Sequence, residues 1–470
     1  MLLLPNSLPH LFKDRSGGVM PLFALALVPM LGFIGAAVDF SRANSVKAAM
    51  QAALDSTALM LSKDAAKLDD AGRQAKAEAY FLSMFHRPEA TNVTFKTPDY
   101  GTTGGSQLAL TVSADVKASF VSVIGFPTLN ITSTATVKWG NNRLRVALGL
   151  DNTGSMSDDG KIAALKSATH KLLDSLKNAA TKPGDVYVSI VPFSRDVNVK
   201  YSDTVVTEKW IDWSYWDAAN GTCNRSGSSF SSPSACAATQ VCSRSRYTTQ
   251  TTCQDNNGTW YATPGTWTPN DHSTWNGCVM DRDQSNDVNK TAPVNGSTST
   301  MFPAEQYSSC SGSLLRLTYD WDALNAKVDA MYPSGNTNQT IGLAWAWHSL
   351  NEGDPLNAPP IDTSDGIPTK KIVILLTDGL NTQNRWSTSA TSINGREQLA
   401  CDNAKADGIV IYTVQVNTGN DSLQSVLQNC ASPTSVEPKG TKFFMLTSAD
   451  QVVTTFDQIG TQLSKLRLSK

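Results

Sequence analysis

A chain of 470 residues with 40% hydrophobic side chains is long enough for about three domains of ordinary size and at least one large core. Lys plus Arg number 39 against 41 Asp plus Glu, so there is no basic surplus of the kind that binds a phosphate backbone, and nucleic acid is excluded as an expected partner. The eight cysteines all fall between residues 223 and 430, at spacings without the paired CxxC of a zinc site, which predicts disulfides and an oxidising, extracytoplasmic setting for that part of the chain.

In chain order, residues 1–16 read as a short tail and 17–38 as a transmembrane helix. "VMPLFALALVPMLGFIGAAV" carries no charge, and about 20 apolar residues are needed to cross the hydrocarbon core as a helix. A cleaved signal peptide is the alternative, with "GAA" at 35–37 as the cleavage site, but its apolar region is usually about 7–15 residues long. Lys13 and Arg15 on one flank are matched by Arg42 and Lys47 on the other, so the cysteines orient the chain: the tail is expected in the cytoplasm and everything after Asp39 outside it. Residues 39–140 are expected to form a small α+β domain. Val46, Met50, Leu54, Ala58 and Leu61 lie on one helical stripe over 42–63, continuing the anchor outward as one long helix. From about Asn92 the period changes to two, and 106–120 and 128–139 read as paired strands.

An alternating series then fills 141–199 and 315–470. Strands are expected at 143–150, 185–193, 371–377, 408–416 and 442–446, and helices at 161–178, 321–331, 340–351, 395–406, 421–430 and 449–466. Near-continuous Val/Ile/Leu runs separated by amphipathic helices predict an open, doubly wound parallel α/β sheet covered on both faces. Residues 200–314 break the pattern with Ser, Thr, Asn, Gly, Trp and six of the cysteines, and read as an inserted, disulfide-stapled module. Six cysteines allow 15 pairings. Cys401 and Cys430 are candidates for a separate bridge. Trp210, Trp213, Trp216, Trp260, Trp267 and Trp275 suit either a small core or a binding face, the core being favoured.

Chemistry concentrates in "LRVALGLDNTGSMSDD" (144–159), where an apolar strand ends on Asp151 and places Thr153 and Ser155 at alternate positions. In a doubly wound sheet ligands bind at the carboxyl ends of the strands, and hard cations take oxygen ligands. The plainer reading has Asp151 and Ser155 only capping the helix near Lys161. A phosphate loop fails, because five residues separate Gly154 from Gly160, Ile162 stands where Ser or Thr belongs, and Asp158 and Asp159 would repel phosphate. Two distant segments add oxygen at further strand or helix ends: "GNTNQTIGL" (335–343), and "KIVILLTDGLN" (371–381) with Thr377, Asp378 and Gly379.

These three segments together resemble the von Willebrand factor A domain and its metal-ion-dependent adhesion site. The resemblance implies metal ligands at Asp151, Thr153, Ser155, Thr337 and Asp378. Thr337 is chosen over Thr340 because it directly follows "GN" and stands five residues before Gly342-Leu343; Thr153 replaces the usual Ser with the same hydroxyl. It further implies a divalent ion, Mg with Mn or Ca as alternatives, and an acidic residue of a partner completing its shell. The spacing through Asp158 and Asp159 is similar to that of integrin β subunits, where an adjacent Asp pair serves a second ion; acids in a first helical turn are also stabilised by the helix dipole alone.

The N-terminal stretch "GGVMPLFALALVPMLGFIGAAVDFSRANSVKAAMQAALDSTALMLSK" resembles the TadE/TadG-like segment of tight-adherence (Flp) pilus-assembly proteins, and "WNGCVMDRD" and "FDQIGTQLSKLRLS" resemble the large TadG-like members with an adhesion-type domain. Prepilin processing is not expected, since Leu22 and Phe23 stand where the family's Glu would follow Gly17 or Gly18. No HExxH, Walker A or zinc-ligand pattern is present, and His10, His86, His170, His272 and His348 are scattered. The resemblance implies a non-enzymatic, single-pass protein of the bacterial inner membrane whose periplasmic A-type domain docks another pilus or envelope protein. The alternatives are an exported adhesin or pilus-tip subunit and, further off, a metal-assisted hydrolase.

Overall fold

The computed structural model describes residues 19–101, 106–139, 142–227, 230–364, 366–418, 422–434 and 442–468; the expected cytoplasmic tail lies outside them. The chain forms two compact units that divide after residue 141.

The first unit begins with α1 (Val19–Ser62), a single helix of 44 residues that runs through Pro29. At ~1.5 Å per residue it is about 66 Å long. Its N-terminal half exposes Phe23, Leu25, Val28, Leu31, Phe33 and Ile34, and among the described residues it is the one helix long and apolar enough to cross a membrane. Its C-terminal half buries the expected stripe of Val46, Met50, Leu54, Ala58 and Leu61. That stripe shares a core with Ala77 and Phe81 of α2 (Asp70–Met84) and with the inner face of an antiparallel sheet. The sheet has the order β1 (Ala90–Gly101), β2 (Ser106–Lys117), β3 (Thr128–Trp139). The period-two pattern is real: Leu108, Leu110, Val112, Ala114 and Val116 of β2 all point into the core. The expected strand 106–120 stops at Lys117, because 118–127 closes into a turn whose amides bond elsewhere.

The second unit is a mixed α/β body around a parallel-rich sheet. Its parallel strands are β4 (Arg143–Asp151), β5 (Val186–Phe193), β6 (Thr369–Thr377), β7 (Val410–Val416) and β8 (Phe443–Leu446), in the order β8-β7-β6-β4-β5. Alternate residues of each strand serve opposite cores. Val373 and Leu375 join the core containing α5 (Gln339–His348), α6 (Ala390–Ala406) and α7 (Ser425–Cys430). Ile372, Ile374 and Leu376 join that of α3 (Lys161–Ala179), α4 (Trp321–Asp329) and α8 (Asp450–Leu468). Burial on both faces is why these strands read as unbroken apolar runs. α6 starts earlier than 395 although Gly395 lies inside it, because burial of Ile393 outweighs the cost of an interior glycine. α5 ends at His348, short of 351. α7 begins at Ser425.

The stretch 200–314 is not one separate body. Ile211–Asp212, Cys278–Val279 and Phe302–Glu305, with Val197–Asn198, extend the main sheet beyond β5. Trp210, Trp216 and Trp275 are buried in the same core as α5, and Trp210 packs on Phe302 and Trp345. Only the middle, with two small two-stranded sheets, stands apart, stapled by Cys223–Cys236 and Cys242–Cys253. Cys278–Cys310 ties the extension to the loop that follows it, and Cys401–Cys430 joins α6 to α7 as expected.

Candidate metal centre

The chain runs from β4 to β5 on one side and then returns to β6, β7 and β8 on the other, so the strand order reverses between β4 and β6. In open α/β sheets the crevice at such a reversal, at the carboxyl ends of the strands, is where ligands bind. Asp151 ends β4 and Asp378 follows β6, which puts both carboxylates at this point.

A chain of short contacts links the site. Asp151 is buried; its Oδ1 accepts from the Thr153 N–H at 2.8 Å and its Oδ2 from the Thr377 hydroxyl at 2.7 Å. The Thr153 and Ser155 hydroxyls lie 3.1 Å apart, and Ser155 Oγ donates to Asp378 Oδ1 at 2.8 Å. Lys161, the first residue of α3, donates from Nζ to Asp378 Oδ2 at 2.9 Å. Thr337 is tied not to Asp151, Thr153, Ser155 or Asp378 but to the loop that follows Asp378. Its N–H donates to Thr382 Oγ1 at 2.8 Å, and its carbonyl accepts from the N–H groups of Thr382 and Gln383 at 2.9 and 3.2 Å. The Gly154 N–H bonds the Gly335 carbonyl at 2.9 Å, locking the first loop to the second. α5 approaches the sheet closely because residue 342 is glycine: a Cβ there would come within 2.5 Å of the Phe193 ring.

The capping alternative finds no support in this geometry. α3 starts at Lys161 with Gly160 as its N-cap and no side-chain cap, while Asp151 spends its oxygens on Thr153 and Thr377. Asp158 and Asp159 are exposed, and Asp159 takes a left-handed conformation at φ 51°. Their only side-chain contact between described residues is Ser157 Oγ to Asp158 Oδ1 at 3.3 Å.

Burial, and next the charge of Asp378, pushes the Asp151 carboxyl up to about 7. Two buried carboxylates thus lie beside one buried cation, Lys161, which bonds Asp378. Among the described residues no group of three or more His, Cys, Asp and Glu could hold a metal. What the cluster offers is two acids and neighbouring hydroxyls, a set of hard oxygen donors short of positive charge, and this fits a small divalent cation.

Lys161 and Thr377 bond the two carboxylates, although the resemblance leaves them out of the ligand set. Lys161 figures in the sequence as the start of the helix after the oxygen-rich turn, and that position is the signal that marks it. Asp281, from the 200–314 stretch, carries no such signal. It accepts both bonds of the Asn338 amide at 3.1 and 2.9 Å, and burial pushes its carboxyl up to about 6. Three of the described histidines have partners of their own: His348 is buried beside Arg282, His272 stacks on Trp213, and His170 contacts Asn325 and Asp329.

Residues 17–61 match the Tad family model, described as Flp pilus-assembly TadE/G-like. The expected TadE/G-like segment is therefore present. No curated protein matches the sequence. Similar solved structures include the pilus adhesin SpaC from Lactobacillus rhamnosus GG, 12% identical with a TM-score of 0.34, covering 81% of this chain and 36% of that one. Another is the vWF domain of the type V pili tip protein Mfa5 from Porphyromonas gingivalis, 10% identical with a TM-score of 0.36, covering 70% and 97%. A third is proximal thread matrix protein 1 from the mussel byssus, 11% identical with a TM-score of 0.32, covering 69% and 48%. The chain spans about a third of the length of SpaC.

Proposed function

We propose that the protein is a pilus-assembly component anchored by α1 in the bacterial inner membrane, whose second unit is a periplasmic von Willebrand factor A-like domain that docks another pilus or envelope protein through a divalent ion. Asp151, Thr153, Ser155, Thr337 and Asp378 hold the ion, Mg in the first instance with Mn or Ca as substitutes. Two carboxylates balance its charge and the hydroxyls add little, so the ion stays electrophilic toward an acidic residue of the partner. Lys161 lies beside Asp378 and bonds its Oδ2. The reading is of a binding device and not of an enzyme, since among the described residues no third His, Cys, Asp or Glu joins the two acids.

The observation that carries the proposal is the contact chain Asp151–Thr153–Ser155–Asp378 at the strand-order reversal, with Gly335 and Thr382 drawing the Thr337 loop onto it. The four disulfides and the unpartnered apolar half of α1 support the membrane and compartment assignment. The test is affinity capture from detergent-solubilised envelopes with the full chain as bait, in Mg and in chelator. Partner proteins are expected only in Mg and only with Asp151 and Asp378 intact. Identical recovery in both conditions would remove the metal from the interaction. Surface protease treatment of intact cells separates this reading from an exported adhesin, which alone would be cut.

A further inference from the structure

We infer that the turn between β2 and β3, residues 118–127, is a second membrane contact: its apolar tip lies in the outer interface of the bilayer beside the exit of α1. The inference rests on reading α1 as the anchor. Phe120, Val123, Ile124 and Phe126 are 54, 85, 71 and 61% exposed, an apolar cluster of the kind that marks an interaction surface on a small domain. Its neighbours on α1, Phe33, Ile34, Val38 and Phe40, are also exposed, so the apolar surface of the turn is continuous with that of the anchor.

Depth follows from the helix. The uncharged run ends at Val38, and four residues back from Asp39, about 6 Å lower, is Gly35. The Phe120 side chain lies where a Cβ on residue 35 would stand, within 2.5 Å, so the turn sits against α1 at that level. Asp39 fixes it there. Its Oδ1 accepts from the Ser119 N–H at 3.0 Å and its Oδ2 from the Phe120 and Val121 N–H groups at 2.7 and 2.8 Å.

The turn also satisfies itself. Ala118 N–H bonds the Pro127 carbonyl, Val123 that of Phe120, Gly125 that of Ser122 and Phe126 that of Val121, while Ser122 Oγ bonds the Ser119 carbonyl. Backbone that enters a low-dielectric layer must have its polar groups paired from within, and aromatic side chains favour the headgroup level. A segment that pairs most of its amides, presents Val123, Ile124 and Phe126 at its tip, and is clamped at the anchor's exit suits the interface, where the remaining carbonyls still meet water.

All eight cysteines are in disulfides, so a single added thiol can carry a nitroxide in the full chain without reductant. In phosphatidylethanolamine/phosphatidylglycerol vesicles we expect labels at Val28→Cys and Val123→Cys to be relaxed by oxygen and protected from a water-soluble nickel chelate. A label at Thr136→Cys, on the exposed face of β3 and roughly 30 Å up the strand, should show the reverse order. Phe126→Cys should switch from the first pattern to the second when Val123→Asp and Ile124→Asp are added. Nickel access at Val123 with Val28 in lipid would overturn the loop contact and leave the anchor standing; nickel access at both would overturn the two together. Protection of Val123 from both reagents would mean that protein, such as a second copy, covers the turn, and would also overturn it.

Discussion

Asp39 and Asp151 each end an apolar run, "GFIGAAVD" and "RVALGLD", and each is buried. The chain treats them in opposite ways. Three backbone N–H groups, that of Val121 foremost, hold the Asp39 carboxyl below the ordinary carboxylate range. Asp151 has one backbone donor and one hydroxyl, faces a second carboxylate, and is held above that range. The first carboxylate is saturated by its own fold and can do nothing further. The second faces another carboxylate, with Lys161 as the one cation bonded to the pair among the described residues.

Amide substitution at the two positions sharpens this contrast most, because the expected signs differ. Asp39→Asn sets an NH2 against N–H donors that need acceptors at both oxygens, so the first unit should lose its clamp and 118–127 should become open to protease at neutral pH. Acidification of the parent should do the same. The lowered carboxyl contributes stability that is present above the ordinary carboxylate pKa and lost as pH falls through its folded value. Asp151→Asn keeps an oxygen for the Thr153 N–H and offers its NH2 to Thr377 Oγ1, which accepts as well as donates. It also removes one of two apposed charges. Calorimetry without metal should therefore show a second unit no less stable than the parent, and with Mg should show the stabilisation of the parent gone. That stabilisation is about 2.7 kcal/mol at a hundredfold excess over Kd. A large loss of stability in the metal-free Asp151→Asn variant would mean that Asp151 is a structural residue like Asp39.

How far this was legible differs between the two regions. The strands and helices of the second unit can be placed to within a few residues, because burial on both faces writes long apolar runs into the sequence, and Asp151, Thr153, Ser155 and Asp378 can be named from their places at the ends of those runs. The roles of Lys161 and Thr377 are less legible: one is marked only by its place at the start of α3 and the other only by preceding Asp378, while the ion pair and hydroxyl bond they make span 217 and 226 residues. The short strands of 197–305 are hidden for another reason. At two to four residues they carry too little periodicity to register, and their pairing with β5 and with one another is long-range. Asp39 reads in the sequence only as the residue where the anchor ends; its role depends on the tip of a hairpin some 80 residues later.

Glu397 tests whether a poorly paired buried acid is by itself a mark of a metal site. It is buried behind the Asp378 loop, with Asn381 Nδ2 at 2.7 Å as donor to Oε2 and no partner at Oε1, and burial pushes it up to about 7. An acid raised in the folded state binds its proton more tightly there than in the unfolded chain, so its ionisation erodes stability as pH rises from its ordinary value toward 7. Glu397→Gln should gain about 3 kcal/mol at pH 7.5 and under about 0.5 kcal/mol at pH 4.5, with the Mg response unchanged. A weakened Mg response would extend the metal site to this second layer and blur the distinction drawn at Asp151.

Lys161 is the smallest and most discriminating case, because its ammonium already supplies part of the charge that the cluster lacks. It lies 2.9 Å from Asp378 Oδ2 and 3.4 Å from the Ser155 carbonyl. If the cluster awaits a divalent ion, this positive charge opposes the ion's arrival, and Lys161→Met should tighten Mg binding by about tenfold, the size of one partly screened charge at this range. If instead Lys161 is the cation that the two acids were built around, the same change leaves both carboxylates unpaired. The second unit then loses stability without gaining Mg affinity. Titration of the Lys161→Met variant with Mg, read by calorimetry beside its unfolding midpoint in chelator, separates the two outcomes by the sign of both quantities.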